Sequence, residues 1–197
     1  MVDKLNFEEI RIAFQGIAET IYFDEKQYLR EQTSAPANVK EFITQAEAML
    51  QQISNLEEEY YLLGAIGYCY RVLNQAKDAI RYFEKCLKQV EKNPQRKMVT
   101  LIRLGEAYKC DHQHQKALEL FEEAQNVRMN YRIQGYEDFI NQHQAKCMVE
   151  LGEIVLAKEL LIKALKIRRN KGTQSLSEST EKVLHLIDEL LKEINHG

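Results

Sequence analysis

A pattern of small and large residues recurs at fixed spacing in this chain and limits the folds that it can adopt. Each copy has a small residue followed by a large, a small and a large residue at offsets of 3, 12 and 16. The copies are Gly67, Tyr70, Ala79 and Phe83; Gly105, Tyr108, Ala117 and Phe121; and Ala145, Met148, Ala157 and Leu161. Residues three or four apart share one face of a helix. The pattern therefore predicts two packed helices in each copy.

These offsets resemble the tetratricopeptide repeat, in which two antiparallel helices pack through such residues. The resemblance implies an all-α fold, a right-handed α-solenoid of antiparallel helix pairs with about nine helices. The small residues stand 38 and then 40 residues apart, against about 34 in the commonest unit of the family. In this length the repeats are similar to those of the kinesin-light-chain type and of the bacterial peptide-pheromone receptors of the Rap type.

The composition also favours a folded helical chain. Apolar residues make up 45% of the sequence, while glycine (8) and proline (2) are scarce. No stretch rich in valine, isoleucine and threonine alternates between turn signals as a strand would. An all-helical chain is therefore expected.

Charge and hydropathy exclude several classes of partner. A net charge of −3 gives no electrostatic footprint for DNA or RNA. No apolar run reaches the roughly 18 residues that would span a membrane. The segment MVDKLNFEEIR is acidic, where a signal peptide is basic and then apolar. A cytoplasmic protein is expected.

The pattern divides the chain into three units within a single continuous domain. Residues 1–55 are predicted to form a divergent N-terminal helical pair, and residues 173–197 a C-terminal capping helix. Three repeats are predicted over residues 56–172, at about 60–93, 98–131 and 138–171. Because an open stack of repeats ends in an uncovered apolar face, a terminal helix with one polar side is expected there.

The first helix has an apolar stripe and a plausible N-cap at Asn6. Its stripe repeats at steps of three and four residues through Phe7, Ile10, Phe14, Ile17 and Ile21. The helix is predicted to run to about Gln32, where a break towards Pro36 follows. The stripe is expected to pack against the next helix, and a homodimer contact is the lesser option.

Local signals mark the turns and the closest helix contact. Gly67 is predicted to let its helix approach Ala79 on the second helix of the repeat. The residue seven positions after each small residue is Asn74, His112 or Gly152. All three types tolerate a left-handed backbone, which suits a tight turn between helices.

The concave groove is the predicted binding surface, because the resemblance implies that partners bind there. The first helix of each repeat lines the groove with the face opposite to its packing face. The candidate residues are Tyr61, Gly64, Tyr68 and Arg71; Ile102, Arg103 and Glu106; and Phe139, Gln142, His143 and Lys146. Their mixture of apolar, aromatic and charged groups suits a peptide with apolar anchors and carboxylates.

Within this surface the predicted roles differ. Arg71, Arg103 and Lys146 are predicted to supply charge. Apolar contact is assigned to Tyr61, Tyr68, Ile102 and Phe139. The clamp that holds the C-terminal tails of chaperones uses a lysine and an asparagine in the first repeat, where this chain has Gly64 and Tyr68. Binding of a chaperone tail is therefore not expected.

Metal and catalytic chemistry are not predicted. The segment from Cys110 to His114 gathers a thiol, a carboxylate and two imidazoles, and His143 and Cys147 have helical i,i+4 spacing. His112 suits a turn and Cys147 a core, however, and no second ligand pair has a zinc spacing. No glycine-rich phosphate loop or nucleophile elbow is present. No cofactor and no catalytic residue are expected.

The sequence thus predicts a non-catalytic scaffold that binds a peptide or protein segment, of unknown identity, in its concave groove. One alternative is a peptide-sensing regulator that resembles the pheromone receptors but has no DNA-binding domain. The other is a structural homo-oligomer that assembles through the N-terminal helix.

Overall fold

A computed structural model describes residues 6–196; residues 1–5 and 197 of the predicted terminal units lie outside this range. Nine α-helices lie in the described range: α1 Phe7–Ala18, α2 Pro36–Leu50, α3 Leu56–Val72, α4 Ala76–Gln89, α5 Pro94–Cys110, α6 His114–Asn130, α7 Glu137–Glu150, α8 Ile154–Asn170 and α9 Gln174–His196. Two short strands, β1 Ile21–Asp24 and β2 Arg30–Thr33, lie between α1 and α2. The predicted all-α solenoid with about nine helices is confirmed.

The helices stack in sequence order. Helix α3 packs on α4, α5 on α6 and α7 on α8, and each pair packs on the next. Helix α9 covers α8 and also contacts α7. The first helices of the three pairs, α3, α5 and α7, lie side by side and form one face of the stack. No helix in the described part of the chain is long and apolar enough to cross a membrane.

The close contact inside each pair joins a glycine to a phenylalanine ring. A Cβ atom on Gly67 would lie 2.9 Å from the Phe83 ring, and one on Gly105 would lie 2.6 Å from the Phe121 ring. These distances are too short for a real side chain. The glycines therefore make room for the rings of the second helices. The sequence predicted the facing contact at Ala79; the atoms nearest to the added carbon belong to Phe83, one turn further along the same helix.

The turns between paired helices follow the prediction. Asn74 and His112 both have a φ of 59°, and Gly152 has a φ of 81°. After α3, the amide of Gln75 donates to the carbonyl of Tyr70 at 2.8 Å. This bond, together with the left-handed conformation of Asn74, satisfies a carbonyl group in the last turn of α3.

The N-terminal stretch departs from the predicted single helix. Helix α1 ends at Ala18 instead of Gln32, and residues 21–33 form an antiparallel β-hairpin, called the hairpin below. Its register pairs Ile21 with Thr33 and Asp24 with Arg30. The run Ile-Tyr-Phe favours a strand, and the Asp24 side chain accepts a bond from the amide of Lys26 at 3.0 Å. This cap turns the chain back towards β2.

The apolar stripe of α1 packs against other helices of the same chain. Ile10 and Ile17 are buried in a cluster with residues of α2 and α3, including Val39 and Leu62. The expectation that this helix packs against its neighbour is confirmed. The four cysteines, in turn, are free thiols in buried positions, as expected for small core residues.

Gly105→Ala tests the contact between paired helices. The added methyl group would overlap the Phe121 ring, so the free energy of unfolding should fall by about 1–3 kcal/mol. Gly16→Ala is the matched control, because nothing lies within 4 Å of the added carbon. There alanine should stabilise helix α1 by about 0.5–1 kcal/mol. Urea denaturation followed by circular dichroism measures both, and equal effects would rule out the ring contact as the cause.

Candidate functional site

The predicted groove residues all lie on α3, α5 and α7, but the structure divides them between two regions. One region is an open cleft between α1 and the first halves of α3 and α5, with a volume of about 980 Å³. Tyr61, Gly64, Tyr68 and Arg103 line this open cleft. The other region is covered by the hairpin. We call it the hairpin-binding surface, and it consists of Arg71, Glu106, Lys109, Lys146 and Glu150.

Aromatic rings form the wall of the open cleft. Phe14 of α1 lies edge-on to Tyr61 and to Tyr68, with ring centroids 6.1 and 5.8 Å apart. Phe7 makes a similar contact with Tyr61 at 5.5 Å. Burial raises the pKa of both tyrosine hydroxyls, so they stay protonated at neutral pH. The wall is a set of packed aromatic rings with hydroxyl groups that can donate hydrogen bonds.

Arg103 is the cation of the open cleft that is free to meet a ligand. Its side chain is exposed, and among the side chains that the structure describes no carboxylate forms an ion pair with it. A Cβ atom on Gly64 would lie 3.0 Å from its Nη1 atom. Gly64 therefore lets the guanidinium lie close against α3. In contrast, Arg96 at the rim is already paired with Glu57.

The hairpin-binding surface holds Arg30 of β2 through several bonds. The Nε atom of Arg30 donates to Glu150 Oε1 at 3.1 Å, and its Nη2 atom donates to the other oxygen. The same guanidinium reaches the carbonyl oxygens of Lys109 and Cys110 at the end of α5, at 3.4 and 3.3 Å. These carbonyls carry the partial negative charge of a helix C-terminus. Arg30 thus joins the ends of α5 and α7.

Glu31 of the hairpin pairs with Arg71 of α3. Arg71 also lies 3.6 Å from Glu106, which is in turn 3.1 Å from His143 Nδ1. Burial would raise the pKa of Glu106, but the charges of Arg71 and His143 lower it well below its ordinary range. Glu106 is therefore ionised at neutral pH. The geometry between Glu106 and His143 is not that of a hydrogen bond.

Lys146 of α7 donates to the carbonyl oxygen of Leu29 at the tip of the hairpin. The ring of Phe23 lies 5.1 Å from the Lys146 ammonium. Burial lowers the pKa of Lys146 to about 7, and the charge of Lys109 acts in the same direction. Lys146 therefore loses its proton far more easily than an exposed lysine.

Three further predicted residues are enclosed by other parts of the chain. Ile102 is only 6% exposed and belongs to the central apolar cluster. Phe139 lies under the guanidinium of Arg168, 5.0 Å from the ring centre. Gln142 accepts bonds from Arg168 and from Thr180 of α9. Phe139 and Gln142 thus link α7 to Arg168 of α8, and both also line the cavity beside the hairpin.

Sequence reasoning missed two contributions to this region. Arg168 is 1% exposed and pairs with Asp138 at 3.0 Å. Thr180, a polar residue on the inner side of α9, was the available signal for such a buried network. Phe7 and Phe14 were assigned to packing alone, although they also wall the open cleft.

The histidines near the turn after α5 approach a carboxylate. His112, His114 and Glu150 bring one ligand atom each within 4.8 Å of one another. Glu150 is already bonded to Arg30 and His114, and the ammonium of Lys109 is 3.6 Å away. A divalent cation here would face two positive side chains. This donor set does not suit a metal ion.

Comparison with known proteins adds to this geometry. Residues 58–130 match the family model described as tetratricopeptide repeat. The chain contains tetratricopeptide repeats. Repeats of this kind stack into solenoids whose concave surfaces serve as protein-interaction scaffolds. No curated protein is similar enough in sequence to count as a relative.

Several solved structures share this fold at low sequence identity. The apo form of RapI has a TM-score of 0.67 and 17% identity, over 95% of this chain and 65% of its own. This chain thus spans about two thirds of the RapI structure. Kinesin light chain TPR-like repeats from Podosopora anserina have a TM-score of 0.62 and 14% identity, over 96% and 94% of the two chains. PcrH, in complex with the chaperone binding region of PopB, has a TM-score of 0.52 and 17% identity, over 67% of this chain and 98% of its own.

Lys146→Met tests the buried charge. An unfolded lysine keeps its proton to about pH 10. Between about pH 7 and pH 10 the folded state therefore binds fewer protons than the unfolded state, and the free energy of unfolding should rise with pH. Lys146→Met should remove this contribution.

Urea denaturation of both proteins at pH 7, 8 and 9 measures the effect as the difference between their slopes against pH. The exposed Lys88→Met variant on α4 is the control and should keep the slope of the unmodified protein. Identical slopes for Lys146→Met and the unmodified protein would contradict the assignment.

Proposed function

We propose that this chain is a non-catalytic scaffold that binds a peptide or a protein segment in the open cleft of its concave groove. The observation that carries this proposal is the unpaired Arg103 beside a wall of packed aromatic rings. The volume of about 980 Å³ suits a short segment, since ligand pockets commonly measure about 300–1,000 Å³. PcrH, which shares the fold, was solved in complex with a protein segment.

The chemistry of the open cleft defines the ligand. Arg103 can hold a carboxylate through two parallel hydrogen bonds, a geometry that lysine cannot offer. Phe14, Tyr61 and Tyr68 offer apolar surface a short distance away. We therefore expect a segment with an apolar or aromatic side chain and a nearby acidic group.

The structure changes the assignment of the charged contacts. Arg71 and Lys146 were predicted to meet the partner, but they are bonded to Glu31 and to the carbonyl of Leu29. An alanine at Arg71 would remove the arginine from beside Glu31 and from beside the buried Glu106, and would lower stability. We therefore assign the charged contact with a ligand to Arg103.

A second candidate is a peptide-sensing regulator that resembles the pheromone receptors and has no DNA-binding domain. The similarity of fold to RapI favours it. Both candidates use the open cleft and differ in the size of the ligand. A homo-oligomer formed through α1 is less favoured, because Ile10 and Ile17 are buried inside the chain. A cytoplasmic location remains our proposal from the sequence.

We also propose a division of the chain that follows the predicted units. The repeats would be the pairs α3–α4, α5–α6 and α7–α8. Helices α1 and α2 would form the divergent N-terminal pair, and α9 would cap the stack. The packing of these pairs supports this division.

Arg103→Ala tests the proposed binding site. Peptides selected from a random display library on the unmodified protein should combine an acidic residue with an aromatic or aliphatic one. Loss of a charged hydrogen-bond donor costs about 1.5–3 kcal/mol, so their affinity for Arg103→Ala should fall by about 10- to 100-fold. Isothermal titration calorimetry with the selected peptides measures this.

The matched control is Arg81→Ala, an exposed arginine on α4 that pairs with Asp78. It should bind the peptides as the unmodified protein does, and both variants should keep their helical circular dichroism. Unchanged affinity in Arg103→Ala would refute the assignment of the cleft.

A further inference from the structure

The contact between the hairpin and the hairpin-binding surface combines buried ion pairs with the apolar packing of Leu29 and Phe23. It depends on Arg30 with Glu150, on Glu31 with Arg71, and on Lys146 with a backbone carbonyl. The attraction in buried ion pairs is largely offset by the loss of hydration. A cavity of about 100 Å³ also remains between the hairpin and the helices, which is room for water among polar groups. Water can therefore enter among the polar groups of this interface.

The two ends of the hairpin are joined independently of this surface. The amide of Ser34 donates to the carbonyl of Thr20 at 2.9 Å, and the hydroxyls of Thr20 and Thr33 are 2.8 Å apart. The chain therefore enters and leaves the hairpin at one point. The hairpin can leave the groove without moving α1 or α2.

The tip of the hairpin has an unfavourable backbone. Tyr28 and Leu29 have φ angles of 51° and 57°, a region that side chains larger than asparagine rarely adopt. The tip is held by the burial of the Leu29 side chain and by the bond from Lys146 to its carbonyl. Such conformations persist where the surroundings hold them, and they occur often at ligand contacts and switches. Release from the groove would relieve this strain.

We propose that the hairpin is an intramolecular ligand, and that the hairpin-binding surface is a second binding site. Its external ligand is an extended peptide segment in which an apolar residue is followed by an arginine and a glutamate, as in Leu29, Arg30 and Glu31. Such a segment takes the place of the hairpin. The two sites share no lining residue, and the assignment of this one does not rest on the function proposed for the open cleft.

The charges of the surface explain why the ligand needs both signs. With the hairpin removed, Glu150 lacks its arginine and Arg71 lacks a glutamate, although both side chains lie deep in the groove. An acidic peptide would pair with Arg71 but leave Glu150 beside a carboxylate. A basic peptide would pair with Glu150 but place a positive charge beside Arg71. A segment with the wrong order of charges is therefore rejected.

A variant without the hairpin tests this proposal. Residues 21–33 are replaced by two glycines, since the amide of Ser34 and the carbonyl of Thr20 are only 2.9 Å apart. A synthetic peptide of residues 20–34 is then titrated by calorimetry. The variant should bind it, whereas the unmodified protein should bind it at least about tenfold more weakly, because its own hairpin occupies the site.

The control peptide carries Arg30→Glu and Glu31→Arg, which keeps its composition and reverses the order of charges. It should bind the variant at least about tenfold more weakly, because like charges then face each other. Equal affinity for the two peptides, or no binding by a variant that keeps its helical circular dichroism, overturns the proposal. Binding by the unmodified protein with the affinity of the variant also overturns it.

Hydrogen exchange of the unmodified protein gives a second test that does not need the variant to fold. If the hairpin leaves the groove by itself, its paired amides should exchange at least about 100-fold faster than those in the middle of α5 and α7. Equal protection would mean that the hairpin opens only with global unfolding, and the proposal fails. Arg103→Ala should change neither result, so this test is independent of the open cleft.

Discussion

The contact between Arg30 and Glu150 determines the shape of the groove. It joins residues 120 positions apart and is the point where the N-terminal segment is fastened to the last repeat. One guanidinium meets a carboxylate of α7 and the carbonyl end of α5. A continuous concave face is thereby divided into a covered part and an open cleft. Without this contact, the strands of four residues would lack the support that a short hairpin needs.

The repeats could be predicted from sequence because their determinants are local and occur several times. Gly67 and Phe83 are 16 residues apart, and the same pair recurs at Gly105 and Phe121. The turn at Asn74 needs only a residue that tolerates a positive φ. As a result, the fold of stacked helix pairs could be predicted from the sequence. The hairpin lacks such signals, because its stabilising contacts come from helices that lie far along the chain.

The sequence indicated which face of the helices could bind a ligand, but not which side chains on that face are covered by other parts of the chain. The rule that the groove lies opposite the packing face predicted Arg71, Arg103 and Lys146 as contacts of a ligand. It could not show that the chain itself covers Arg71 and Lys146, since the register of residues 21–33 depends on the finished fold. The burial of Arg168 likewise depends on a helix that lies further along the chain. A basic residue near a helix end normally serves that end, and its burial depends on Thr180 of α9.

The open cleft and the hairpin-binding surface meet at one pair of side chains. The ring of Tyr68, which lines the cleft, lies 5.0 Å from the guanidinium of Arg71, which holds Glu31 of the hairpin. Arg71 is 6% exposed, so any shift of the ring changes the surroundings of a buried charge. A ligand that moves Tyr68 must therefore alter the free energy of the bond between Arg71 and Glu31. Because coupling between two binding equilibria is reciprocal, release of the hairpin would alter the affinity of the cleft for such a ligand by the same factor.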